Sequence, residues 1–331
     1  MWLVYTSVLK WQVFIEKISI GNDIMPTDIE NLLKQSPIYT VLPFDLHCHS
    51  TRSDGTFSPA EVVQKAFDNG VKVLALTDHD TILGLAEAKQ TAKKLGMLLI
   101  NGVEISCRHR IVGGYSKKPS QAEKVIHVLG YGFDNLDKMG DRLLAIQQSR
   151  QTRGKAMCEK VAKTCQVDFD EFWQAVLTEA KGNPQAVGRM HIANVMVKKG
   201  FVSDVQKAFS RYLGDHKSCY VALDTLCLKD CVDLIHACGG KASLAHATCY
   251  NLTANKIRKL IADFKQAGGD AIELPQTNEA QSTRHMIDRC IKEHQLLVSV
   301  GSDFHGITSP WRILGRVPKL HDGQIGIWQK L

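Results

Sequence analysis

The sequence predicts an α/β fold built on a parallel sheet or barrel, and three observations predict it. From Pro43 onward, short apolar runs alternate with amphipathic segments. Most of those runs carry a His, Asp or Glu at or near the end. The chain has 331 residues, 44% hydrophobic and 23% charged, which is the composition of a globular protein long enough to bury a full core.

The elements follow in order. PFDLH reads as the first strand, and SPAEVVQKAFDNG as a helix with a Ser cap, a Pro in its first turn and a closing Gly. VKVLALTDH, MLLINGVEIS and KVIHVLGYG are β-rich runs, the first two separated by the helical TILGLAEAKQTAKKLG. Strand, helix, strand is the signature of a parallel α/β unit. Between about Asn135 and Tyr220 the pattern changes to long helical periodicity, as in MGDRLLAIQQSRQTRGKAMCEKVAKTC and MHIANVMVKKG, which predicts a helical insertion. The alternation resumes with LKDCVDLIHACGG, KASLAHA, TANKIRKLIADFKQAGG, DAIELP, EAQSTRHMIDRCIKEH and LLVSVGSDFHG. The expected division is an extension without readable chemistry over 1–42, a first barrel part over 43–134, the insertion over 135–222 and a second barrel part over 223–331.

A formal net charge of +7 raises the local concentration of anionic substrates such as phosphates, and serves solubility equally well. Ten Cys without a CxxC pair fit reduced thiols and a cytoplasmic protein. The N-terminal stretch lacks a basic leader region and is interrupted by Lys10, Glu16 and Lys17, so no secretory signal is expected. No run reaches the ~18 uninterrupted apolar residues of a membrane span.

The ionisable residues carry the functional argument. His47, His49 and Asp54 fall at or just after the first strand, Asp78, His79 and Asp80 at the end of the second, and Glu104 at the end of the third. His127 lies in the fourth, His246 ends KASLAHA, and Asp303 and His305 follow LLVSVGS. In an α/β barrel the carboxyl ends of the strands form one face, where active sites are built. Residues His47 and His49, at i and i+2, project from one side of a strand and can clamp one ion, while Glu104 and Asp303 can bridge ions. Imidazole and carboxylate without thiolate suit manganese, iron or zinc. Nine ligands exceed the needs of one ion, whereas two or three ions ~3.5–4 Å apart could share them. By contrast, His216, His236, His285 and His294 sit in helical or linking segments and are read as ordinary residues.

The runs DLHCHSTRSDGT, ALTDHDT, GVEIS, IHVLGY, LAHA and GSDFHG resemble the successive motifs of the PHP (polymerase and histidinol phosphatase) superfamily. That resemblance covers Pro43 to the C-terminus and implies a distorted seven-stranded (β/α)7 barrel with a trinuclear metal site. Within the superfamily, the helical insertion, VGRMHIANVMV, GGKASLAHATCYNL and PWRILGR with GIWQ are most similar to the ribonuclease AM branch. Members of that branch act as 5′→3′ exoribonucleases on short RNA and as nucleoside 3′,5′-bisphosphate phosphatases. Carried over, the resemblance implies one ion on His47, His49, Glu104 and Asp303, a second on Asp54, His79 and His305, and a third on Glu104, His127 and His246. It places Arg189 and His191 on the substrate phosphate, and gives Asp78 and Asp80 the task of orienting neighbouring imidazoles.

The implied protein is therefore a metal-dependent hydrolase with two or three divalent ions, manganese first, iron or zinc next, in which an activated water attacks phosphorus in line. Its expected partner is a nucleotide or short RNA, with neither a membrane nor an obligatory protein partner. Two departures stand out. Ala247 and Cys249 replace a Pro and an Arg usual in the family, and CRHRIVGGYSKKPSQAEK is long, so that Arg108, Arg110, Lys117 and Lys118 could form a basic lip over the site. The competing readings are a small-metabolite phosphatase, such as one for histidinol phosphate, and a non-catalytic metal-stabilised nucleic-acid-binding module.

Overall fold

The computed structural model describes residues 44–111, 123–307 and 311–331. The expected extension over 1–42, and Lys117 and Lys118 of the expected basic lip, lie outside the described residues.

Strand β1 is short, Phe44–Asp45, and leads through the extended run carrying His47 and His49 to helix α1, Pro59–Asp68. The helix starts where the sequence places it, because Ser58 and Glu61 form a reciprocal capping box and Pro59 pre-sets the first turn. Next come β2 (Val73–Leu76), α2 (Leu85–Leu95), which stops at the left-handed Gly96, and β3 (Leu98–Arg110). Strands β1, β2 and β3 are parallel. The next described strand, β4 (Glu123–Tyr131), runs antiparallel to β3 and also to β6 (Lys241–Leu244). Strands β6, β7 (Ala271–Glu273) and β8 (Leu297–Ser299) restore the parallel direction, and the order is β1-β2-β3-β4-β6-β7-β8. A short β5, Leu226–Cys227, pairs the outer end of β3.

The expected basic lip begins as strand instead. Cys107 to Arg110 continue β3, with Cys107 opposite Ile126 and Arg110 opposite Glu123. The backbone there is satisfied by β4, and loop conformation is excluded from those four positions.

Beyond β1 and β8 the sheet closes on itself. The Leu46 amide donates to the Val300 carbonyl at 2.9 Å, Asp303 to His47 at 2.8 Å and His49 to Phe304 at 2.9 Å. The result is a distorted seven-stranded barrel with mixed strands, with Leu46, Leu74, Leu76, Ile105, Ile126 and Leu129 all buried in its hydrophobic core. The Tyr131 hydroxyl donates to the Leu46 carbonyl at 2.8 Å, and Trp328 stacks on Phe44 with ring centroids 4.4 Å apart. Closure also explains the Gly of GSDFHG. A Cβ on Gly301 would stand 2.1 Å from the His47 Cβ and 2.7 Å from its backbone nitrogen. Gly301→Ala is therefore expected to cost about 1–3 kcal/mol by overpacking, read as a lower denaturation midpoint in urea.

The segment after β4 is helical, with α3 (Leu136–Cys165), α4 (Phe169–Glu179), α5 (Arg189–Lys198) and the short α6 (Val205–Ala208). The 30 residues of α3 serve two cores. Met139, Leu143 and Ile146 join the hydrophobic core around the barrel, whereas Met157, Cys158 and Val161 pack with Phe172, Trp173, Ile192 and Met196 in a separate cluster. Between these two apolar stretches α3 buries a polar seam of Gln147, Arg150 and Arg153. Helices α7 (Leu228–Ala237), α8 (Ala254–Gln266) and α9 (Gln281–His294) complete the barrel's outer layer. No helix among the described residues is long and apolar enough to cross a membrane.

Candidate metal centre

All nine residues expected as ligands meet in one cluster, although Glu104 lies within β3, which runs on to Arg110, and His127 within the antiparallel β4, instead of at strand ends. They form four overlapping groups, His49–Asp54–His79–His305, His47–His246–Asp303, His47–His49–Glu104 and His79–Glu104–His127, with donor atoms in each within 4.8 Å of one another. Glu104 is the hub. Its Oε1 lies 2.9 Å from His127 Nδ1 and 2.9 Å from His246 Nε2, and its Oε2 lies 3.2 Å from both His47 Nε2 and His49 Nε2 and 3.1 Å from His79 Nδ1. Asp303 Oδ1 stands 3.4 Å from His47, 3.3 Å from His49 and 3.4 Å from His305. Asp54 reaches His305 at 3.3 Å and His79 at 3.8 Å.

Local backbone sets up each donor. The turn after His49 folds so tightly that a Cβ on Gly55 would sit 2.4 Å from the His49 carbonyl oxygen, which is why Asp54 is followed by glycine. Asp80, His246 and Asp303 have φ of 52°, 25° and 53°, a left-handed region that ordinary residues seldom occupy. Such strain gathers where surrounding structure holds side chains for function.

The donor set fits divalent ions. Among the described residues, the buried side-chain atoms without a hydrogen bond include Asp54 Oδ1, His79 Nδ1, Glu104 Oε2, His127 Nδ1, His246 Nδ1 and Asp303 Oδ1. Six orphaned polar atoms in one cluster, where buried groups are otherwise almost always paired, are the arrangement a cation satisfies. Charge agrees with this. Burial pushes Glu104 up, yet His79, His127 and His47 hold it well below the usual carboxylate range. Asp54 is likewise drawn well below it against burial, chiefly by His305 and His79. Burial and the neighbouring His305 bring His49 down to about 4, and burial also lowers His79 and His127. At neutral pH these three imidazoles are thus uncharged donors facing charged carboxylates. The exception is His47, where burial is outweighed by Glu273 and Glu104, which raise it to about 10.

Glu273 is the residue that sequence reasoning missed. Its Oε1 lies 2.8 Å from His47 Nδ1, and its Oε2 accepts the His246 amide at 2.8 Å. It ends β7 within DAIELP, so the strand-end rule that found Glu104 applies to it as well. A carboxylate on the far nitrogen of a ligating imidazole fixes its tautomer and orientation. Glu273→Gln is expected to weaken metal binding about 10- to 100-fold with the fold intact, as read by calorimetric metal titration beside circular dichroism.

Asp78 and Asp80, expected to orient neighbouring imidazoles, bear on them only indirectly, Asp78 through the Ser53 hydroxyl that stands 3.5 Å from His49 Nδ1. Neither makes a hydrogen bond to an imidazole. Asp78 accepts from the Ser50 amide at 2.7 Å, the Ser50 hydroxyl at 2.7 Å and the Ser53 hydroxyl at 2.6 Å, pinning the turn that carries Asp54. Asp80 takes the Ser106 amide at 2.6 Å and pairs with the Arg150 guanidinium. Position next to a ligand in sequence directs these side chains away from it, because neighbours on an extended chain face opposite sides.

From Asp54, Asp303 and His305 a cavity of about 880 Å³ opens towards the helical segment, meeting His191, Asn194 and Lys198 of α5, with Ile307, Trp311 and Arg312 along another side. His191 is buried, and its Nδ1 accepts the Gly188 amide at 3.0 Å. Burial lowers its pKa, so the neutral ring carries its proton on Nε2 and can donate. Arg189 is not among the residues lining this cavity; its guanidinium pairs with Asp215 at 3.1 Å, an acid shared with Lys124. It is no isolated surface charge, since burial together with Arg189 and Arg150 lowers Arg153 to about 9, the mark of crowded cations.

Comparison with known proteins agrees with this geometry. The model of the PHP domain matches residues 45–213. The chain is 40% identical to a 5′-3′ exoribonuclease of Haemophilus influenzae over 87% of its own length and 98% of that relative. It is 32% identical to a 3′,5′-nucleoside bisphosphate phosphatase of Chromobacterium violaceum, over 87% of this chain and 95% of the relative. Among solved structures, an amidohydrolase from Chromobacterium violaceum superimposes with a TM-score of 0.75 at 31% identity, covering 87% of this chain and 95% of the other. A curled barrel with its acids and imidazoles gathered in one cluster, matched by relatives along nearly their whole length, makes this chain a member of the PHP-domain family.

Proposed function

We propose that this protein is a metal-dependent phosphoesterase acting on nucleotides, as a 5′→3′ exoribonuclease on short RNA, a nucleoside 3′,5′-bisphosphate 3′-phosphatase, or both. The observation that carries this reading is the buried cluster centred on Glu104, with its orphaned donor atoms and a cavity leading from it. In this reading two or three ions, manganese foremost, are held by His47, His49, Asp54, His79, Glu104, His127, His246, Asp303 and His305. Bound there, they supply Lewis acidity towards the phosphoryl oxygens and activate water for attack on phosphorus. The chain's own residues do the rest. His191 donates from Nε2 to a phosphate oxygen, and the cations around Arg189 and Arg153 raise the local concentration of a polyanionic substrate. The cavity of about 880 Å³ lies in the upper part of the range that small-molecule sites span, room for a nucleotide carrying a flanking phosphate. Residues 135–222 act as an insertion between barrel parts 43–134 and 223–331, walling the metal face, in a cytoplasmic enzyme. The names carried by the relatives support the same substrate class.

The test is product release by the manganese-loaded protein on adenosine 3′,5′-bisphosphate and on a short 5′-phosphorylated oligoribonucleotide, with histidinol phosphate as control. Chelator-sensitive turnover of either nucleotide substrate is expected. Activity confined to histidinol phosphate would replace this reading with the small-metabolite one.

A further inference from the structure

We propose that Arg312 is a phosphoryl-binding residue, the guanidinium that holds the substrate phosphate where it meets the metal cluster. The proposal rests on the reading of the site as a phosphoesterase and adds to it a residue from the C-terminal segment.

Three observations carry it. The Asp303 carboxylate is divided between two neighbours: Oδ1 faces His47, His49 and His305, whereas Oδ2 pairs with the Arg312 guanidinium, which also donates to the Asp303 carbonyl at 3.2 Å. The guanidinium therefore stands one carboxylate away from the imidazoles. Arg312 also lines the cavity, beside His305 and Trp311, and its side chain is 23% exposed, so it is reachable from the substrate side. Finally, only one of its nitrogens is engaged among the described residues, although an arginine presents five N–H donors in a planar fork. By comparison Lys198, another cation of the cavity wall, is paired with Glu179.

The chemistry follows from that placement. A phosphate with one oxygen at the cluster brings another within reach of the unused guanidinium nitrogens, and the fork matches two phosphate oxygens at once. Negative charge on the phosphoryl oxygens during displacement would be met there by a fixed cation in a site partly shielded from water. Lysine in its place keeps the charge and loses the fork.

Calorimetric titration of inorganic phosphate into the manganese-loaded full-length protein tests this, with Arg312→Ala and Arg312→Lys beside the wild type and metal content measured on each. The expected result is phosphate affinity about 10- to 100-fold weaker in Arg312→Ala, the worth of a charge-assisted hydrogen bond, with Arg312→Lys between and metal content unchanged. On the nucleotide substrate kcat is expected to fall about 100-fold in Arg312→Ala. Wild-type affinity in Arg312→Ala, absence of phosphate binding by the wild type, or loss of metal along with the arginine would each overturn the proposal, the last by showing that it serves only to hold Asp303. Weakened phosphate binding in a protein that turns over no nucleotide would leave this inference standing and remove the nucleotide reading instead.

Discussion

Glu104→Gln is expected to abolish turnover, by at least about 10³-fold, because the several kcal/mol that metal ions contribute to phosphoryl transfer depend on keeping them in place. Glu104 is fully buried and its two oxygens lie within 3.2 Å of the imidazoles of His47, His49, His79, His127 and His246. It thus meets five of the cluster's six imidazoles, all but His305. The amide keeps the shape and removes the charge, so the variant should fold, bind fewer ions by atomic absorption and lose the thermal shift that chelator produces in the wild type. A variant retaining full metal content and near wild-type kcat would show that Glu104 is a packing residue and that catalysis lies elsewhere.

The second large effect is on stability. Arg150→Ala is expected to cost about 3–5 kcal/mol, since it leaves the Asp80 carboxylate charged, buried and without its partner. Both side chains are nearly inaccessible, and Arg150 also donates to the Ser106 hydroxyl at 2.8 Å while Gln147 of the same helix donates to the Asp80 carbonyl at 2.9 Å. These bonds fasten α3, and with it the helical segment, to the ends of β2 and β3 beside His79 and Glu104. Urea denaturation should report the loss. The double variant Asp80→Asn/Arg150→Leu should recover much of it, because removing both charges also removes the uncompensated one. Additive losses in that cycle would show that the two groups do not act as a pair.

The fold was readable where local rules and tertiary structure agree. Capping by Ser58, Pro59 and Glu61 marked α1, and the alternation of apolar runs marked the parallel units on either side of the helical segment. What escaped local reading was the continuation of β3 through Arg110. Charged residues near a strand end resemble a loop until a partner strand, here β4, takes up their backbone groups.

The sequence by itself singled out the imidazoles and carboxylates that the fold brings into one cluster. Groups that follow parallel strands, such as His79, Asp303 and His305, share one face of a barrel, whereas His127 joins them because β4 runs antiparallel beside β3. Only the tertiary structure decided which residues support them. Glu273 meets His47 across 226 positions and Arg150 meets Asp80 across 70, distances over which no spacing rule operates. Those encounters depend on strand register, barrel closure and the angle of α3, which are settled by packing of the whole core, whereas periodicity and capping act within a few residues.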